Sequence, residues 1–129
     1  MNGKYLLDTN IVIALFAGDF AITEHIKNIS EFFIPSIVIG ELYYGAFKSM
    51  RAKENIARID NLVVSNAILI CNVETARWYG KIKSRLKQKG SPIPENDIWI
   101  SAISFQHDLT LITNDVHFNQ VEGLRIEKM

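Results

Sequence analysis

Cysteine is almost missing from this chain of 129 residues, with Cys71 standing alone. One thiol excludes an internal disulfide and a zinc site built on cysteines. An excess of either charge is missing too, because fourteen Lys and Arg balance fourteen Asp and Glu. Net charge therefore steers the molecule toward neither nucleic acid nor an anionic membrane, and electrostatic recognition has to come from local patches. Long hydrophobic runs are also lacking. The apolar start is cut by Asp8 and Asn10, leaving only Ile11 to Gly18, too little for a signal peptide. Nothing approaches the roughly 20 apolar residues of a membrane helix. A soluble cytoplasmic protein is the expectation. The three histidines, His25, His107 and His117, show no metal-ligand spacing.

What is present is an ordinary globular composition, 48% apolar and 22% charged, which is far from a disordered one. A chain of this length forms one domain, here 1–129, and buries roughly two thirds of its unfolded surface. Short β-prone runs alternate with helical patterns. Lys4–Leu7, Phe32–Ile34, Ala67–Cys71, Leu109–Thr113 and Leu124–Ile126 read as strands. Helices are expected from Ile11 to Phe16, from Thr23 to Ile29, from Ile37 to Phe47 with Ser36 as cap, and from Arg51 to Val64. Two more run from Val73 to Lys89, stopped by Gly90, and from Glu95 to about His107, with a helical turn at Asp115–Phe118. This alternation predicts an α/β fold, a parallel sheet with helices on both faces.

Ligands of such sheets bind beyond the carboxyl ends of the strands. Asp8 closes the first strand, Asp115 follows the fourth, Asp97 lies in the first turn of the helix after the Pro-rich loop, and Glu41 sits in the second turn of the helix after Pro35. Each acid has an ordinary explanation. Asp8, Asp97 and Asp115 stand near helix N-termini, where carboxylates cap amides and oppose the dipole. Glu41 has mostly apolar neighbours, and an unpaired buried carboxylate is costly. Brought together, four carboxylates could not all stay ionised unaided, since like charges raise one another's pKa. A hard divalent cation resolves that conflict, and a set of oxygen donors favours Mg²⁺ or Mn²⁺ over zinc.

The run Leu6-Leu7-Asp8-Thr9-Asn10 resembles the opening motif of PIN-domain ribonucleases, particularly the VapC-type toxins of toxin–antitoxin pairs. Gly40-Glu41-Leu42-Tyr43-Tyr44-Gly45-Ala46 is similar to their second motif and Pro94-Glu95-Asn96-Asp97-Ile98-Trp99-Ile100-Ser101-Ala102 to their third. Leu111-Ile112-Thr113-Asn114-Asp115-Val116-His117-Phe118 resembles the fourth, and Gly123-Leu124-Arg125-Ile126-Glu127 the tail. The resemblance spans nearly the whole chain in the family's order. It implies a sheet of strand order 3-2-1-4-5 and an endoribonuclease in which metal-activated water attacks phosphorus, leaving a 5′-phosphate and a 3′-hydroxyl. Asp8 and Asp97 would be the principal ligands of Mg²⁺ or Mn²⁺, Glu41 would complete the cluster, and Asp115 would be the fourth acid. Thr9 and Asn96 would supply supporting hydrogen bonds. Relatives often place an acid just before the phenylalanine, where this chain has His117. A homodimer and a VapB-like antitoxin, inserting a basic side chain among the acids, are the implied partners. The RNA could be tRNA, rRNA or mRNA.

The segment Val73–Lys89 carries Arg77, Lys81, Lys83, Arg85, Lys87 and Lys89, with no acid between Glu74 and Glu95. Such a tract either binds phosphates, with Trp78 and Tyr79 stacking on bases, or is a solvated helix face. Lys48 and Arg51 either line the same pocket or oppose a helix C-terminus. Arg77, Lys81, Arg85, Lys48 and Arg51 are the candidate RNA contacts. Other functions remain in view. A phospho-aspartate enzyme would want a second Asp two residues after Asp8, where Asn10 stands. A flap-type DNA nuclease would want large insertions. A non-catalytic PIN scaffold would be expected to have lost one of the acids.

Overall fold

The computed structural model describes residues 3–129, so the first two residues of the expected domain lie outside the described ones. Five strands, β1 (Lys4–Leu7), β2 (Glu31–Pro35), β3 (Ile68–Leu69), β4 (Thr110–Ile112) and β5 (Ile126–Glu127), form a single sheet. All pairings are parallel, and the order is β3-β2-β1-β4-β5. The order implied by the sequence is therefore the one observed. β1 is central because it is buried on both faces, with Leu6 and Leu7 fully inaccessible. It pairs Leu6 with Phe33 of β2 and with Leu111 of β4. The chain leaves β1 toward β2 and β3, then crosses to β4 on the other side. That reversal opens a crevice at the carboxyl ends of β1 and β4.

Among the described residues, six helices surround the sheet: α1 (Thr9–Phe16), α2 (Phe20–Asn28), α3 (Ser36–Phe47), α4 (Ala52–Ser65), α5 (Val73–Lys89) and α6 (Glu95–Gln106). A 3-10 turn follows β4 at Val116–Gln120. The main core gathers Leu6, Ile11, Ile34, Val38, Ile103 and Phe118, among others. Each of these large side chains contributes roughly 1.5–3 kcal/mol by leaving water. A second, smaller core joins Ile82 and Leu86 of α5 to Ile98 and Ala102 of α6 and to Val121. α5 therefore packs on α6, and α6 lies between the two cores.

Several boundaries differ from the sequence expectation, each for a local reason. α2 begins three residues early, at Phe20, because the Asp19 carboxylate accepts the Ile22 N–H and caps it there. Ser36 is the first helical residue of α3 and not its cap. Pro35 holds that position and needs no side-chain bond. β3 shrinks to two residues because it is an edge strand paired only with Ile34 and Pro35 of β2. β5 starts at Ile126, two residues late, since Leu124 is still held in a turn by its N–H bond to Val121. Gly90 stops α5 as expected, in the left-handed conformation (φ +71°) that glycine adopts without steric cost.

Candidate active site

The β1–β4 ladder runs one residue past the strands, for the Asp8 N–H donates to Ile112 O at 3.1 Å. This bond fixes Asp8 beside Thr113 at the crevice. Asp8 is 4% exposed and caps α1, its Oδ1 accepting the Thr9 N–H at 2.8 Å. Its Oδ2 accepts from Thr113 Oγ1 at 2.6 Å and from Asn10 Nδ2 at 3.1 Å. Burial raises the Asp8 pKa above the usual carboxylate range, and the bonds from Thr113 and Thr9 partly offset that rise.

Asp97 reaches the same place from the other side. Pro94 starts α6 without a side-chain cap, so Asp97 is free of the capping duty the sequence allowed it. It is 9% exposed, and its Oδ2 is fully buried with no hydrogen-bond donor aligned on it among the described residues. Burial, reinforced by the carboxylates of Asp115 and Asp8, pushes its pKa up to about 6, against a lowering by His117. Asp115 caps the 3-10 turn, its Oδ1 accepting the His117 N–H at 2.9 Å. Its own N–H donates to Thr113 Oγ1 at 2.9 Å, so one hydroxyl ties Asp115 to Asp8. The His117 Nδ1 lies 3.0 Å from Asp115 Oδ1 and 3.3 Å from Asp97 Oδ2, the latter off hydrogen-bond alignment. Glu41, half-buried on α3, accepts from Thr9 Oγ1 at 2.9 Å.

Glu41, Asn96, Asp97, Asp115 and His117 line an open cleft of about 450 Å³, with Asp8 close behind it. All four acids singled out in the sequence thus stand at one crevice. The supporting role expected of Thr9 is present as its bond to Glu41, whereas among the described residues the Asn96 side chain bonds to none of the acids. Two residues that matter were not picked out, Asn10 and Thr113. Thr113 carried a usable signal, being a polar residue that directly follows a buried strand and precedes an acid. An oxygen-rich set with a buried, donorless carboxylate oxygen fits a hard divalent cation, which is the partner such an atom lacks.

The basic residues scatter. Lys83 pairs at 3.1 Å with Glu95, which lines the cleft, and lies close to Tyr79, which stacks on Trp99. Lys81 and Arg85 instead line a groove of about 620 Å³ with Trp78, Phe105 and Val121. That groove is elsewhere on α6, since Phe105 lies eight residues, or about 12 Å, beyond Asp97. Arg77 pairs with Glu74, Arg51 with Glu54, and Lys48 sits over the Tyr44 ring. A further groove, about 350 Å³, runs between α1, α3 and α4 along Ile13, Phe16, Leu42 and Ile59, and it shares Glu41 with the cleft.

Comparison with known proteins gives one consistent answer. The PIN domain family model matches residues 5–124. Ribonuclease VapC2 of Haemophilus influenzae (strain ATCC 51907 / DSM 11121 / KW20 / Rd) is 37% identical over 127 residues, covering 96% of each chain. The tRNA(fMet)-specific endonuclease VapC of Salmonella typhimurium is 32% identical over 130 residues, again covering 96% of each. In the crystal structure of DNA-bound VapBC from Salmonella typhimurium, the matching chain superposes with a TM-score of 0.90 at 30% identity, covering 98% of both chains.

Proposed function

This chain belongs to the PIN-domain family and, within it, to the VapC ribonucleases, and from that premise we propose a divalent-metal-dependent endoribonuclease held in check by an antitoxin. The observation that carries the metal reading is the buried, donorless Oδ2 of Asp97, placed among Asp8, Asp115 and His117. Asp8 and Asp97 would hold Mg²⁺ or Mn²⁺, with Asp115 and Glu41 completing the cluster. When bound, such a cation offsets charge on the phosphoryl oxygens and lowers the pKa of water.

The chain's own residues do the positioning. Thr9, Asn10 and Thr113 lock the Asp8 carboxylate in one orientation, so it needs no reorganisation when RNA arrives. Thr9 occupies one oxygen of Glu41, leaving the other to accept the proton of the attacking water. Attack on phosphorus forms the new P–O bond and breaks the bond to O3′, giving 5′-phosphate and 3′-hydroxyl ends. Lys81, Arg85 and Trp78 would hold flanking nucleotides by charge and stacking. A tRNA(fMet)-specific relative makes that tRNA the first substrate to try.

The antitoxin would fill the α1–α3–α4 groove, whose apolar walls lead to Glu41, and would bring a basic side chain to the acids. Tyr44 and Phe47, exposed one turn apart on α3, are the surface on which we place a homodimer. An RNA substrate and an antitoxin partner put the protein in the cytoplasm, and among the described residues no helix is long and apolar enough to cross a membrane.

The decisive experiment is cleavage of tRNA(fMet) and a mixed RNA pool by metal-stripped protein after Mg²⁺ or Mn²⁺ is restored, with Asp8→Asn and Asp97→Asn alongside. Metal-dependent fragments with 5′-phosphate ends, absent in both variants, are expected. Equal cutting by the variants would mean a contaminating nuclease, and a folded wild type that binds no divalent ion and cuts nothing would leave the scaffold reading.

A further inference from the structure

His117 is the cleft residue to which the carboxylate reading gives no task. It is half-exposed and held at the start of the 3-10 turn, where its own N–H is bonded to the Asp115 carboxylate. Its ring Nδ1 lies 3.0 Å from Asp115 Oδ1 and 3.3 Å from Asp97 Oδ2. One ligand-type atom from each of Asp97, Asp115 and His117 lies within 4.8 Å of the other two. Neighbouring ligands of an octahedral ion bound at about 2.1 Å stand about 3.0 Å apart. The two measured separations match such edges, and the Asp97 oxygen on the second edge is the one without a donor.

We propose that His117 Nδ1 is a metal ligand of the cleft, completing with Asp97 and Asp115 a mixed nitrogen–oxygen set that favours Mn²⁺ over Mg²⁺. The proposal rests on the reading of the cleft as a divalent-cation site and adds a ligand and a selectivity to it. Imidazole suits transition ions, whereas Mg²⁺ is served by oxygen donors and water. An all-carboxylate cleft would carry no such bias. The competing account is that His117 is only a counter-cation, an imidazolium spanning two acids.

The two accounts separate without any assay of cleavage. Pulsed electron paramagnetic resonance of the full chain loaded with Mn²⁺ reads directly coordinated ¹⁴N, and calorimetric titrations with Mn²⁺ and with Mg²⁺ give the affinity ratio. The ¹⁴N coupling is expected in the wild type and lost in His117→Ala and His117→Gln. The alanine variant should lose about 10-fold or more in Mn²⁺ affinity, toward the scale of other metal-site changes, with a smaller loss for Mg²⁺. Circular dichroism checks that both variants fold, and the bulk-preserving glutamine serves if alanine does not. Mn²⁺ bound without nitrogen coupling, or an unchanged Mn²⁺/Mg²⁺ ratio in the variants, overturns the proposal while the metal reading stands. No Mn²⁺ binding by the wild type overturns both.

Discussion

The acidic cleft and the basic groove on α5 handle charge in opposite ways. In the cleft, Asp8 and Asp97 are almost fully withdrawn from water, and burial raises the pKa of both, with Asp115 and Asp8 adding to the rise at Asp97. In the groove, Lys81 and Arg85 keep their charges in solvent and lay their stems over an apolar floor. There Trp78 stacks on Phe105 at 5.1 Å with the rings 9° from parallel. Buried like charges are expensive to fold around, and exposed cations cost almost nothing. The difference teaches where stability has been given up for chemistry. Changes in the cleft should move activity, metal affinity and stability together, whereas changes in the groove should move RNA binding alone.

The sharpest way to break this contrast is Asp97→Asn. Loss of this proposed metal ligand should lower cleavage more than about 100-fold, beyond the 10–100-fold typical of residues that only support a ligand. Cleavage of a mixed RNA pool under single-turnover conditions reads it. Retention of wild-type rates would move the chemistry away from this crevice. Next comes Thr113→Val, which keeps the shape but removes the hydroxyl tying Asp8 to Asp115. Divalent-metal affinity by calorimetry should fall about 10–100-fold, with a stability loss of about 1 kcal/mol for the hydrogen bond.

Stability of the metal-free protein sharpens the comparison further. A carboxyl whose pKa is raised in the folded state holds its proton more tightly there than in the unfolded chain. Between the ordinary value near 4 and the folded value of about 6 for Asp97, the native state therefore binds more protons. Unfolding free energy then falls as pH rises through that window, by about 2–3 kcal/mol for a shift of this size. Asp8 acts in the same direction. Denaturant melts from pH 4 to pH 8 should show the decline in the wild type and a shallower one in Asp97→Asn, which becomes the more stable protein at pH 8. Asp8→Asn should gain less, because an amide placed against the three donors of Thr9, Asn10 and Thr113 breaks bonds the carboxylate satisfies. Equal gains from both variants would mean that hydrogen bonding does not distinguish the two acids.

The contrast also marks what the sequence could reveal. Strand order was legible only through the resemblance of four motifs to a family whose sheet has that order, and the crevice acids through their places at strand ends and helix starts. Long periodic helices such as α5 were legible for a different reason, as periodicity and a stopping glycine act locally. Thr113 was legible only as a polar residue after a buried strand, because the bond that makes it matter reaches a residue 105 positions away. The ambiguity of Asp97 between cap and ligand also needed three dimensions, since only the structure shows its carboxylate free of the helix end. Lys81, Lys83 and Arg85 looked alike in the sequence. Helical spacing sends Lys83 toward Glu95 and the other two toward Trp78, on different flanks of α5.

That division sets the smallest effect. The double variant Lys81→Ala/Arg85→Ala removes two solvated cations from the groove and leaves the buried residues of both cores in place. Stability should change by less than about 0.5 kcal/mol per site, as for other surface positions. RNA affinity should weaken, and because each phosphate contact releases condensed counterions, the slope of log affinity against log salt should flatten by about 1.4 for a single strand. The single-turnover rate at saturating RNA should stay unchanged, since the groove's Phe105 lies about 12 Å along α6 from Asp97. A matching variant of Lys83, already paired with Glu95, serves as the control at the cleft edge. If Lys83→Ala flattens the salt slope and the double variant does not, RNA leaves the cleft along the other flank of α5.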